Sequence, residues 1–191
     1  MPELALHILD LVQNSVSAKA TLIVVTIFRS TEADELIIVI QDNGCGMSEE
    51  FLKRVGSPFT TTRTTRKVGL GIPMFKQLAE MCEGGFTIES APGQGTRLEA
   101  RFRATHVDLP PMGDLKGTMQ TLLIANPETP DFRLEYRVDD RQFVFDTREI
   151  RQPLGFLPLN EPEILSWIDQ YLSEGIGEVE NGSNDNLEVL L

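Results

Sequence analysis

The chain has 191 residues, 41% of them hydrophobic and 24% charged, the balance of a protein that buries a core. That excludes a wholly disordered, collagen-like or coiled-coil chain. The longest apolar run, Leu36 to Ile40, falls far short of the roughly 20 residues a membrane helix needs. The formal net charge is −12 and unevenly spread: residues 1–104 hold 11 Lys+Arg against 12 Asp+Glu, residues 105–191 hold 6 against 17.

The spacing of Leu4, Ile8, Leu11, Val12 and Val16 predicts a helix over 2–17. The β-branched run over 21–29 predicts a strand, as does 36–40, and Asp42-Asn43-Gly44 stops the second; the two form an expected antiparallel hairpin. Ser48 is a candidate cap for a short helix with Phe51 and Leu52. Residues 54–68 lack periodicity and read as a long loop. A helix over 72–81 follows, ended by Gly84-Gly85, then strands over 86–90 and 96–102 joined by Pro92-Gly93-Gln94-Gly95. The expected fold is α+β: a two-layer sandwich of a mixed, mainly antiparallel sheet with helices on one face.

Beyond Thr105 the pattern changes, with Pro110-Pro111 as a boundary. A helix over 115–124, a hairpin of 132–138 and 142–146 around Asp139-Asp140, and a helix over 162–172 are expected. The division expected is residues 1–105 as the main domain, 106–175 as a small acidic α/β extension and 176–191 as a mobile acidic tail. Met1-Pro2-Glu3 offers no cationic stretch ahead of an apolar core, so no secretory leader is expected. Two cysteines, Cys45 and Cys82, are too few for a disulfide scaffold, and a reduced cytoplasmic setting is expected.

Four short segments carry chemistry. Asp10 and Asn14 lie one turn apart on the first helix, so both project from one face. Asp42-Asn-Gly-Cys-Gly-Met47 follows a strand, where Gly44 and Gly46 let backbone approach a flat ligand and a strand-end carboxylate can accept from an exocyclic amine. Gly69-Leu70-Gly71 opens a helix whose free N–H groups suit an anion. Gly93-Gln-Gly-Thr96 joins two strands. Each alone is compatible with an ordinary helix surface or turn.

Their order and spacing resemble the four boxes of the GHKL ATPases: gyrase, heat-shock chaperones, histidine kinases and MutL mismatch-repair proteins. The resemblance covers about residues 4–104 and includes Ser57-Pro-Phe-Thr-Thr-Thr62-Arg63, similar to the phenylalanine-containing segment of histidine kinases. It implies a Bergerat-type fold and binding of ATP with Mg²⁺. It implies Asn14 as the Mg²⁺ ligand, and Asp42 as acceptor of the adenine amino hydrogen, with a water held by Thr96. It makes Gly44, Gly46 and Met47 the adenine pocket. Gly69, Leu70 and Gly71 would meet the phosphates. Thr62, Arg63, Arg66 and Lys67 would lie in a lid-like loop whose cations neutralise the β- and γ-phosphates. A solvated basic loop is the alternative for that cluster.

In gyrase, MutL and the anti-sigma serine kinases, a glutamate one turn before the metal-binding asparagine acts as general base. Here Asp10 holds that place, one methylene shorter, which implies slow hydrolysis or hydroxyl phosphorylation. Six residues precede His7, too few for the phosphoacceptor hairpin of histidine kinases, so a stand-alone protein is expected. His7 reads as helix support and His106 as surface or packing. Three readings stay open: a slow ATPase coupled to a protein partner, a serine/threonine or histidine kinase-like signal-transduction regulator, and a non-hydrolysing nucleotide sensor. The partner is expected on the acidic half, and the whole-length resemblance to stand-alone ATP-binding proteins points to redox or hydrogenase-associated proteins. That half could also serve a homodimer. No nucleic acid or membrane partner is expected.

Overall fold

The computed structural model describes residues 3–55, 71–155 and 157–182. Helix α1 spans Leu4–Ser17. Strands β1 (Leu22–Ser30) and β2 (Glu35–Asp42) form the expected antiparallel hairpin, with Val25 opposite Ile40. Helix α2 (Glu49–Val55) begins on Ser48, whose Oγ accepts from the Phe51 N–H at 3.2 Å. Helix α3 (Gly71–Met81) leads into the hairpin β3 (Gly85–Ala91) and β4 (Gly95–Arg103). Helix α4 (Leu115–Ala125), β5 (Asp131–Val138), β6 (Arg141–Asp146), α5 (Thr147–Leu154) and α6 (Pro162–Asn181) complete the chain.

All six strands belong to one sheet, in the order β3-β4-β2-β1-β5-β6. Five neighbouring pairs include one parallel pair, β1 with β5, which sets Val25 opposite Leu134. The second half therefore continues the sheet of the first rather than standing beside it. Alternate residues (Ile23, Val25 and Ile27 on β1; Ile38 and Ile40 on β2; Leu98, Ala100 and Phe102 on β4; Phe132 and Leu134 on β5) are buried under the helices. The helices neighbour one another in the order α3, α1, α4, α6. Phe75, Phe102, Phe132 and Phe145 are the largest of the fully buried side chains.

The opposite sheet face carries ion pairs both across and along the strands: Arg101–Glu35 at 3.0 Å joins β4 to β2, and Arg133–Glu135 at 2.7 Å runs along β5. This two-layer arrangement is the expected α+β class. The link between the halves also serves the site helix: the first N–H groups of α1, at Leu4 and Ala5, donate to the carbonyls of Pro111 and Met112 at 3.0 and 2.8 Å.

One element is unforeseen and one expectation needs correction. Residues 147–154, to which no element was assigned, form α5, capped by Asp146, whose carboxylate accepts from the Arg148 N–H. Residues 176–181, expected to begin a mobile tail, instead continue α6, which runs to Asn181 and buries Ile176 and Val179. Gly175 permits this: a Cβ there would sit 2.1 Å from the Phe143 ring. Residues 183–191 lie outside the described residues.

Candidate functional site

The site is assembled where β2 ends. Asp42 is the last residue of β2 and only 7% exposed. Its carboxylate accepts from the Ser15 hydroxyl at 2.6 Å and from the Gly44 N–H at 2.8 Å. Ser15 follows Asn14 on α1, so this bond ties the polar edge of the helix to the strand end. A buried carboxylate satisfied by two neutral donors keeps acceptor capacity for a third group.

The turn after Asp42 is clamped from both sides. The Cys45 N–H donates to the Ala18 carbonyl at 2.9 Å, at the end of α1, and the Gly93 N–H donates to the Cys45 carbonyl at 2.8 Å. Asn43 binds the start of β1: its Oδ1 accepts from the N–H groups of Thr21 and Leu22 at 2.8 and 3.0 Å. Close backbone approach dictates glycine at two positions. A Cβ on Gly46, at φ +65°, would lie 1.9 Å from the Ala91 carbonyl oxygen. One on Gly95, at φ +80°, would lie 1.9 Å from the Asp42 carbonyl oxygen.

Thr96 on β4 stands directly opposite Asp42 in register. Its hydroxyl lies 3.0 Å from Ser90 Oγ, which donates to the Gly95 carbonyl at 2.8 Å and accepts from the Met47 N–H at 2.9 Å. Met47 is half-buried and packs on the core. The structure thus brings Asp42, Gly44, Gly46, Met47 and Thr96 together.

Asp10 and Asn14 share one edge of α1, Asp10 exposed and Asn14 half-buried. Gly71, the first residue of α3, lies against that helix: a Cβ there would be 3.5 Å from the Asp10 Cβ. So Asp10 faces the end of α3 where unpaired N–H groups and the positive dipole end gather. His7, one turn earlier, is buried with its ring 5.7 Å from that of Phe75. Burial pushes its pKa down, against the opposing pull of the Asp10 charge. It packs between α1 and α3, in keeping with the expectation that it supports the helix. Thr62, Arg63, Arg66, Lys67, Gly69 and Leu70 lie outside the described residues.

Sequence reasoning missed Ser15 and Ser90, the two hydroxyls that hold the site together. Ser15 was legible only as the neighbour of Asn14, and Ser90 only as the end of a strand.

Residues 2–106 match the model of the family described as histidine kinase-, DNA gyrase B-, and HSP90-like ATPase. Among curated proteins the chain is 33% identical over 88 residues to sporulation kinase C of Bacillus subtilis, covering 46% of this chain and 20% of that protein. It is 32% identical over 103 residues to a putative sensor protein of Shewanella frigidimarina, covering 53% of this chain and 16% of that one. The chain thus spans a fifth or less of the length of these two relatives. Among solved structures, the N-terminal domain of a DNA repair protein superposes with a TM-score of 0.52 at 14% identity, covering 75% of this chain and 52% of that one. That likeness is one of fold.

Proposed function

Because the chain belongs to the family of histidine kinase-, DNA gyrase B- and HSP90-like ATPases, and so carries an ATP-binding domain, we propose that it binds Mg-ATP at the Asp42 site and hydrolyses it slowly. Hydrolysis would be coupled, through closure of the segment between Val55 and Gly71, to a protein partner. The observation that carries this reading is the buried Asp42 carboxylate, held by Ser15 and Gly44 with acceptor capacity to spare. It is framed by Gly44, Gly46 and Gly95, where any Cβ would collide with neighbouring backbone and push the turn out of shape.

In this reading Asp42 accepts the amino hydrogen of adenine, with Thr96 beside it, and Met47 covers the apolar ring edge. The N–H groups at the start of α3 receive phosphate oxygens. Mg²⁺, when bound, offsets phosphate charge. Such a cation would take one or two protein oxygens and complete its shell with phosphates and water. The Asn14 amide oxygen would be one of them. Asp10, one turn away and exposed, accepts the proton of the water that attacks the γ-phosphorus as the bond to the ADP oxygen breaks.

The test is phosphate release from Mg-ATP by the purified protein beside Asp10→Asn, with ATP binding followed in parallel. The expected result is slow turnover by the wild type, and for the variant a loss of about a hundredfold or more in rate with binding kept. Equal turnover by both proteins would remove Asp10 from the role of base.

The likeness to sporulation kinase C favours a second reading, phosphoryl transfer to a residue of a partner. It predicts transfer of label from γ-labelled ATP to protein rather than to water.

A further inference from the structure

The second half of the chain holds a pocket of its own, between α5 and the first half of α6. It encloses about 400 Å³. Its apolar wall is formed by Ile150, Leu154 and Ile164, and Trp167 and Tyr171 close one side. The two aromatic rings stack at 5.2 Å with an interplanar angle of 7°. With one indole face on Tyr171, Trp167 is still 53% exposed. A large aromatic half in water beside an apolar recess is the feature of a surface that expects cover.

The rim identifies what would cover it. Glu149 and Glu163 line the mouth, and among the described residues neither closes an ion pair. The cations nearby are already committed. Arg148 holds Asp146 at 2.6 Å, Arg133 holds Asp146 at 3.1 Å and Arg151 holds Asp131 at 2.8 Å. Helix α6 itself carries five carboxylates and neither Lys nor Arg. Carboxylates outside any ion pair at the mouth, an exposed indole face and an apolar floor are together complementary to an ammonium or guanidinium on an apolar stem.

We propose that this pocket is the docking site for a lysine- or arginine-rich amphipathic segment of a partner protein. The apolar side of that segment rests on Ile150, Leu154 and Ile164, and a cationic head group lies over Trp167 between Glu149 and Glu163. The proposal rests on the reading of the acidic half as the partner-facing surface, and is independent of whether ATP is hydrolysed. The excess of acid over the second half would steer such a segment toward it.

Trp167 is the only tryptophan in the chain, so its emission reports on the pocket without a label. The probe is a synthetic amphipathic helix with a leucine face and a lysine face. One comparison peptide carries glutamate in place of lysine, and another carries glutamine in place of leucine. The full chain is titrated with each. The expected result is a shift in Trp167 emission with the Lys/Leu peptide alone. Binding should weaken by about tenfold in Glu149→Gln/Glu163→Gln. It should stay unchanged in Glu32→Gln/Glu50→Gln, which removes the same charge far from the pocket.

Equal weakening in both double variants would overturn the proposal in favour of general attraction to an acidic protein. Binding of the Glu/Leu peptide as tight as that of the Lys/Leu peptide would also overturn it. So would an emission shift that grows with protein concentration alone, because a second copy would then be the occupant. Phosphate release from Mg-ATP by the same preparation keeps the two readings apart. Turnover without peptide binding sinks the docking site alone, and pocket-specific binding without turnover supports it while sinking hydrolysis.

Discussion

Two places in the one sheet treat their polar groups in opposite ways. Where β2 meets β4, Asp42 is buried, satisfied by two neutral donors and left with acceptor capacity. At the β5–β6 end, Asp146 is as deeply buried but saturated: its carboxylate takes Arg148 and Arg133 side chains and the Arg148 N–H. The first carboxylate keeps room for a further donor, whereas the second is consumed in holding α5 to the sheet. Burial alone does not say whether a carboxylate has acceptor capacity left. The charge of its partners does, because a cation closes the account that a hydroxyl leaves open.

Substitutions can break this contrast. The largest effect is expected from Gly46→Ala, which puts a Cβ against the Ala91 carbonyl at a positive φ. A loss of about 3 kcal/mol in stability, with ATP binding abolished, is expected in thermal unfolding and nucleotide titration. Unchanged unfolding would mean the turn is free to move and the cradle is not built.

Asp42→Asn is expected to cost about a hundredfold in ATP affinity with little change in unfolding, since an amide keeps the oxygen that accepts from Gly44. A variant that binds ATP like the wild type would remove the adenine assignment.

Asp146→Asn should do the reverse: about 2 kcal/mol of stability lost and ATP affinity kept. The Arg148 and Arg133 guanidiniums hold the Asp146 carboxyl at about 2, below the ordinary 3.8. Its contribution is therefore full above pH 3.8 and lost as pH falls through about 2. Acid unfolding curves should accordingly flatten in that range for the variant.

The smallest effect belongs to His7. Burial lowers its pKa from 6.5, so the folded state favours the neutral ring, and stability should decline as pH falls below 6.5. His7→Gln should remove that shallow slope. A slope that persists would place its origin elsewhere.

The sequence made the first half legible because its patterns are clean. The α1 stripe repeats at helical spacing, and β1 and β2 are compact β-branched and apolar runs separated by a polar turn. The pairing of β1 with β5 was not legible, because a parallel register joins strands far apart in the chain with no turn to announce it. Helix α5 hid behind Thr147, three charged side chains and Pro153, with Ile150 and Leu154 too few to make a stripe. The end of α6 hid behind Gly175 and Gly177, at the start of a stretch expected to be a mobile acidic tail, although Gly175 is required by the ring of Phe143. In the site, glycines and carboxylates formed a readable pattern, but Ser15 and Ser90 did not. A single hydroxyl has no period, and its role appears only when the chain brings it to a partner 27 or 6 residues away.

The parallel pairing of β1 with β5 has one more consequence, for anyone who would cut the molecule at the proline pair. Strand β1 is interior only because β5 covers it along Leu22–Arg29. A fragment ending near residue 105 would bare that row of N–H and C=O groups on a strand of Ile, Val and Phe, with no charge before Arg29 to discourage stacking. It would also lose the carbonyls of Pro111 and Met112 that terminate α1. The matched family segment would then be a sticky template rather than a tidy minimal domain, prone to self-pairing along an edge the intact chain never shows.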